Sequence, residues 1–147
     1  MSNKKVILLV EDNPNDEKLT LMALRKNNII NEIVTVRDGK EALDYIFGTH
    51  TYKGKKVPNN PQLILLDLNL PKISGLEVLK KIRSDVRTKF FPVVILTSST
   101  DERDLLDSYD LGANIYIQKP VDFEQFATAI RELGLYMMVL NDPVNIN

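Results

Sequence analysis

The sequence predicts an α/β fold, a doubly wound parallel sheet with helices on both faces. Two observations carry this expectation. Short strand-like runs alternate five times with stretches of helical periodicity, the pattern of consecutive βα units joined by right-handed crossovers. Three of those runs, Val6–Val10, Leu63–Leu66 and Pro92–Leu96, are apolar throughout, as strands covered on both faces are.

Val6–Val10 runs directly into Glu11-Asp12, followed by Asn13-Pro14. Leu19, Met22 and Ala23 then recur at helical spacing within Asp16–Lys26, and Asn27-Asn28 ends that helix. Glu32–Arg37 is rich in Val and Ile but less uniformly apolar, which suits an edge strand. Asp38-Gly39-Lys40-Glu41 has capping-box spacing, and the helix behind it carries Ala42, Leu43, Tyr45 and Ile46. Gly48–Asn60 is a polar loop holding the only histidine, His50, which has no partner for a triad or a metal site and is expected to be solvated.

The third strand ends on Asp67, with Pro71 and Gly75 just beyond. Ser74-Gly75-Leu76-Glu77 is a second capping box, opening a helix with Leu76, Val78, Leu79 and Ile82. The fourth strand leads into Thr97-Ser98-Ser99-Thr100. Asp101 opens a helix with Leu105, Leu106 and Tyr109 on one side, and Gly112 stops it. Asn114–Gln118 alternates, Ile115 and Ile117 on one face and Tyr116 and Gln118 on the other, as in an edge strand. Lys119-Pro120 closes it. Asp122-Phe123-Glu124-Gln125 caps a last helix with Phe126, Ala127, Ile130 and Leu133 inside.

The uniformly apolar first, third and fourth strands belong in the centre and the second and fifth at the edges. That is the order 2-1-3-4-5, the flavodoxin-like (βα)5 arrangement. A chain of 147 residues with no linker or repeat is expected to be one domain, 1–147, with a core over about 5–138 and a tail over 139–147. Leu135–Leu140 has two readings. It extends the last helix over the core, or it binds a second copy, because six consecutive apolar residues cannot face one core from one helix face.

The formal net charge of −1 supplies no basic field for nucleic acid. Without cysteine there are no disulfides, thiolate catalysis or cysteine metal sites. No apolar run approaches the roughly 20 residues of a membrane span, and the N-terminal run is too short for a signal peptide. A cytoplasmic protein is expected.

In a parallel sheet, the residues just after the strands gather at one edge, where ligands bind. Here they are Glu11, Asp12, Asp67, Thr97 and Lys119. Three carboxylates brought together need a cation. Lys119 neutralises one, and a hard divalent ion with oxygen ligands, best Mg2+, is the natural second partner. The backbone carbonyl of Asn69 is placed to complete the coordination. A metal beside a carboxylate favours phosphoryl chemistry, with Asp67 as the nucleophile that becomes an aspartyl phosphate. Lys119 would supply charge and the Thr97 hydroxyl a hydrogen bond to a phosphoryl oxygen.

These residues lie in four motifs: Leu9-Val10-Glu11-Asp12-Asn13, Asp67-Leu68-Asn69-Leu70-Pro71 with Gly75, Ile95-Leu96-Thr97-Ser98, and Tyr116-Ile117-Gln118-Lys119-Pro120. With all four in order at strand ends, the chain resembles the receiver domain of two-component response regulators over residues 5 to about 133. The resemblance implies that Asp67 accepts phosphate from a sensor histidine kinase, that Glu11 and Asp12 hold Mg2+, and that Thr97 and Lys119 contact the phosphoryl group. It also implies that Tyr116 is a switch aromatic and that the Lys119-Pro120 bond is cis. Within the family the chain is similar to the stand-alone regulators that pair with bacterial phytochromes, through the long loop before Asp67, the run Lys119–Phe126, and Leu133-Gly134-Leu135-Tyr136. No output domain follows in this sequence, so the signal is expected to pass by protein binding, with a homodimer through the fourth helix, fifth strand, fifth helix and tail.

Taken singly, each residue has a plainer role. Asp67 would be a turn residue, Glu11-Asp12 a helix cap, Thr97 a loop residue, Lys119 a solvated charge and Tyr116 an edge-strand aromatic. Their convergence favours the functional reading. Alternative functions are a phosphorelay intermediate that passes phosphate to a histidine phosphotransfer protein, a flavin mononucleotide carrier on the same fold, a phosphatase and a degenerate scaffold. Glu11-Asp12-Asn13-Pro14 would repel a flavin phosphate. Asn69 stands where a phosphatase of the aspartyl type has a second carboxylate. Asn69 and Ser99 are positions where, in the family, phosphoryl lifetime is tuned.

Overall fold

The computed structural model describes residues 6–29, 31–49, 61–98 and 100–132. Among these, five strands alternate with five helices: β1 (Val6–Val10), α1 (Pro14–Lys26), β2 (Glu32–Val36), α2 (Gly39–Phe47), β3 (Pro61–Asp67), α3 (Gly75–Ser84), β4 (Val93–Thr97), α4 (Glu102–Asp110), β5 (Ile115–Gln118) and α5 (Phe123–Glu132). All pairings are parallel and the order is β2-β1-β3-β4-β5, as the distribution of apolar strands predicts. The expectations on His50, Ser99, Leu133 and Leu135–Leu140 fall outside the described residues.

Alternation along the strands divides the core into two layers. Leu8, Val10, Ile64, Leu66, Val93 and Ile95 face α2 and α3, where Ala42, Ile46, Val78, Leu79 and Ile82 meet them. Ile7, Leu9, Leu63, Leu65, Val94 and Leu96 face α1 and α5, against Ala23, Leu24, Phe126 and Ala129. Burying a side chain of this size contributes about 1.5–3 kcal/mol, and nearly every residue of the three central strands is buried. β5 splits its faces as expected: Ile115 and Ile117 join the second layer and Tyr116 the first.

Helix starts follow the cap residues. Asp38 Oδ1 accepts from the Glu41 N–H at 2.7 Å and Ser74 Oγ from the Glu77 N–H at 3.3 Å. The return bond of the first box is shifted by one residue, Glu41 Oε1 accepting from the Arg37 N–H at 2.8 Å. α1 begins earlier than its apolar spacing indicates. Asn13 caps it, accepting from the N–H groups of Asn15 and Asp16, and Pro14 occupies its first turn, where a missing N–H costs nothing.

Two helices turn differently from the sequence expectation. The inward residues of α1 are Thr20, Ala23 and Leu24, while Leu19 and Met22 are 39% and 44% exposed. The stripes Leu19/Met22/Ala23 and Thr20/Ala23/Leu24 differ by one residue, about 100° around a helix, and only contact with the sheet chooses between them. In α4, Leu106 and Tyr109 are 60% and 48% exposed, and Ser108 is the one fully buried residue. α4 flanks the edge strand β5, where little sheet remains to cover an apolar face.

Arg83 ties α3 to the loops before β4 and β5. Its guanidinium donates to the carbonyls of Gly112 (2.9 Å), Phe91 (2.7 Å) and Lys89 (3.2 Å), and to Asn114 Oδ1 (3.0 Å). Replacing it leaves two partly buried carbonyls, of Gly112 and Phe91, without this donor. Arg83→Met is expected to lower the urea unfolding free energy by about 2–3 kcal/mol.

Candidate functional site

The parallel sheet delivers its strand ends to one edge. β1 passes into Glu11, whose N–H donates to Val36 O at 3.0 Å and keeps the residue in line with the sheet. β3 and β4 end on Asp67 and Thr97 themselves. β5 hands over to Lys119, whose N–H donates to Thr97 O at 2.7 Å. The Lys119-Pro120 peptide is cis. Glu11 and Thr97 are fully buried, Asp67 nearly so, and Asp12 is exposed.

The Lys119 side chain is 7% exposed and lies among three carboxylates. Its Nζ donates to Asp67 Oδ2 at 2.9 Å and to Asp16 Oδ2 at 3.0 Å. It also sits 2.7 Å from Glu11 Oε1, an ion pair without the alignment of a hydrogen bond. Sequence reasoning had Lys119 neutralise one carboxylate; the fold gives it three. Asp16 was not among the expected site residues. The missed signal was its place three residues into α1, a turn that Asn13 aims at the same sheet edge.

Glu11, Asp12 and Asp67 each offer an oxygen within 4.8 Å of the others. Asp67 Oδ1 accepts from the Asn69 N–H at 3.1 Å, and Glu11 Oε2 from the Asn13 N–H at 3.2 Å. Glu11 Oε1, fully buried, receives no hydrogen bond. Three hard carboxylate donors this close together fit a divalent cation. Burial pushes the Glu11 carboxyl up to about 7, and the charge of Asp67 adds to this against the pull of Lys119. Burial works against the charge on Lys119, but the carboxylates of Glu11, Asp67 and Asp16 around it outweigh that and hold the ammonium firmly protonated.

Two glycines set the backbone around the carboxylates. A Cβ on Gly75 would lie 2.2 Å from Asp67 O and 2.7 Å from Leu68 Cα, so only glycine lets α3 start against the turn after β3. The Gly75 N–H closes that contact on Leu68 O at 2.9 Å. A Cβ on Gly39 would meet Ile73 O at 2.0 Å, where α2 abuts the same loop.

Tyr116 is half-buried against the first core layer. Burial, then Asp104, Asp101 and Tyr109, raises its phenol, which places it beside α4. The fold thus brings Glu11, Asp12, Asp67, Asn69 and Lys119 together and sets Thr97 next to them on β4. Tyr116 lies two pairing steps inside, opposite Ile95 in the register that pairs Thr97 with Gln118.

Known proteins resemble this chain in sequence and fold. A model of the response regulator receiver domain matches residues 7–131. The response regulator Rcp1 of Synechocystis sp. is 44% identical over 115 residues, 78% of this chain and 76% of that protein. The solved Mn(2+)-bound form of Rcp1 is similar at a TM-score of 0.73 and 38% identity, covering 88% of this chain and 91% of that one. The bacteriophytochrome response regulator RtBRR is similar at a TM-score of 0.81 and 50% identity, over 89% of this chain and 78% of that one. The phosphorylated cyanobacterial phytochrome response regulator RcpA is similar at a TM-score of 0.75 and 42% identity, over 92% and 94%.

The raised Glu11 carboxyl has a consequence for metal-free protein. Folded Glu11 binds a proton more tightly than unfolded Glu11, so its stabilising share is complete below about 4.5 and is lost as pH rises through about 7. Glu11→Gln removes this titration. In the presence of a chelator, the variant's unfolding free energy is expected to fall less than the wild type's between pH 5 and 8, measured by urea titration.

Proposed function

Because the chain belongs to the response regulator receiver domain family, we propose that it accepts a phosphoryl group on Asp67 from a sensor histidine kinase and signals through binding to another protein. One observation carries this reading: Asp67 is buried at the end of β3, hydrogen-bonded to Lys119 and grouped with Glu11 and Asp12. A carboxylate is left in so costly a position when it is used.

In the transfer, a carboxylate oxygen of Asp67 forms a bond to phosphorus while the P–N bond of a phosphohistidine breaks. The imidazole leaves with the electron pair. Lys119 keeps a positive charge beside the new phosphoryl oxygens, and the Thr97 hydroxyl provides a donor from β4. Glu11, Asp12, Asp67 and the Asn69 carbonyl would hold Mg2+, which when bound offsets phosphoryl charge. A solved Mn(2+)-bound relative supports a divalent ion at such a site.

Phosphorylation then shifts a population between two states of the β4–α4–β5 region. Thr97 is drawn toward the phosphoryl group, and Tyr116, half-buried beside α4, repacks. Leu106 and Tyr109 already stand exposed there. This supports the α4–β5–α5 face as the surface that meets a downstream target or a second copy. The likeness to proteins named as phytochrome response regulators favours a phytochrome-type kinase as donor. Passing phosphate onward to a histidine phosphotransfer protein would use the same residues in reverse.

With Mg2+ and acetyl phosphate, intact-mass measurement is expected to show one added phosphoryl group, absent in Asp67→Asn and after chelation. Equal labelling of Asp67→Asn would move the acceptor elsewhere. Thr97→Ala is expected to keep the label and to lose the phosphorylation-dependent change around Tyr116, followed by amide chemical shifts.

A further inference from the structure

Asp16 does something at this edge that its place in the helix does not require. An acidic residue in the first turn of a helix ordinarily interacts with the helix dipole. Here the N-terminal donors are already served, because Asn13 Oδ1 accepts from the N–H groups of both Asn15 and Asp16. The Asp16 carboxylate instead reaches a residue 103 positions away and accepts from Lys119 Nζ at 3.0 Å.

An ammonium has three N–H bonds. Lys119 donates to Asp67 and Asp16 at 2.9 and 3.0 Å, and its charge faces Glu11 Oε1 at 2.7 Å. A phosphoryl oxygen built onto Asp67 must draw its donor from this set. Glu11 is fully buried and Asp67 carries the new group, whereas the Asp16 side chain is 30% exposed and can exchange Lys119 for water. Charge acts in the same direction. Glu11, Asp12, Asp16 and Asp67 face one lysine, so even with a divalent ion bound the site keeps an excess negative charge when a phosphoryl anion arrives.

We propose that Asp16 is a positioning residue that holds Lys119 in a three-carboxylate clamp and competes with the phosphoryl group for it. It thereby restrains the phosphorylation of Asp67. The inference rests on Asp67 being the acceptor. Its logic is competition, so removing the carboxylate strengthens the site toward phosphoryl groups.

Wild type, Asp16→Asn, Asp16→Ala and Asp16→Glu are compared with Mg2+ and acetyl phosphate for the rate of label appearance. Beryllium fluoride affinity is measured in parallel by calorimetry. Loss of one negative charge a few ångströms from the phosphoryl group corresponds to about three- to tenfold where water screens it as in bulk. Asp16→Asn and Asp16→Ala are expected to be labelled faster and to bind the mimic tighter by that factor. Asp16→Glu, which restores the charge, is expected to return to wild-type behaviour. Unchanged or slower labelling of the neutral variants overturns the proposal, as does an Asp16→Glu that behaves like them. Absence of label on wild-type Asp67 overturns both the acceptor reading and this one; normal wild-type label with unaltered neutral variants overturns only this one.

Discussion

The cluster around Lys119 governs the rest of the structure. Three carboxylates within 3.0 Å of one ammonium would repel each other strongly if the lysine moved away. The lysine would equally be too costly to bury without them. The cluster is therefore a mutual dependence between β1, α1, β3 and the end of β5, segments separated widely in the chain. Removing one partner of such a buried group costs more than the pair contributes, because the remaining charge is left uncompensated. The site is held together by its own unbalanced electrostatics, and the same imbalance leaves it ready for a further cation.

Such a cluster needs a rigid support. β1, β3 and β4 supply it, with central side chains fully or almost fully buried and both faces packed. Their parallel register aligns three strand ends to within about two residue rises, roughly 7 Å. The turn after β3 is further confined by Gly75, where no side chain fits, and by the Asn69 N–H on Asp67. The opposite character appears at β5 and α4. There the sheet has an open edge, Tyr116 is half-buried and apolar residues of α4 face outward. Packing is concentrated at the strands that carry the carboxylates and is looser at β5 and α4.

Much of this was legible in the residues. Uniformly apolar runs identified the central strands, because strands covered on both faces tolerate no polar alternation. The same argument placed β2 and β5 at the edges. Asp38, Ser74 and Asp101 marked helix starts through their capping oxygens. The facing of α1 and α4 was not legible. Leu19/Met22/Ala23 and Thr20/Ala23/Leu24 are equally helical stripes, and burial of the small Thr20 and Ala23 follows from how closely the helix approaches the sheet. For α4 the apolar side has no sheet left to cover it.

The candidate site divides in the same way. Sequence by itself determined that Glu11, Asp12, Asp67, Thr97 and Lys119 share one edge, since parallel strands can only end together. It determined as well that such a group of acids requires cations. Tertiary structure alone decided how the charges pair. Lys119 meets three carboxylates instead of one, and Asp16 joins them from a helix whose periodicity marks it as an ordinary first-turn acid. The physical reason is range: propensity and periodicity act over a few residues, whereas a charge contact across 103 positions exists only after the sheet has brought both ends to the same place.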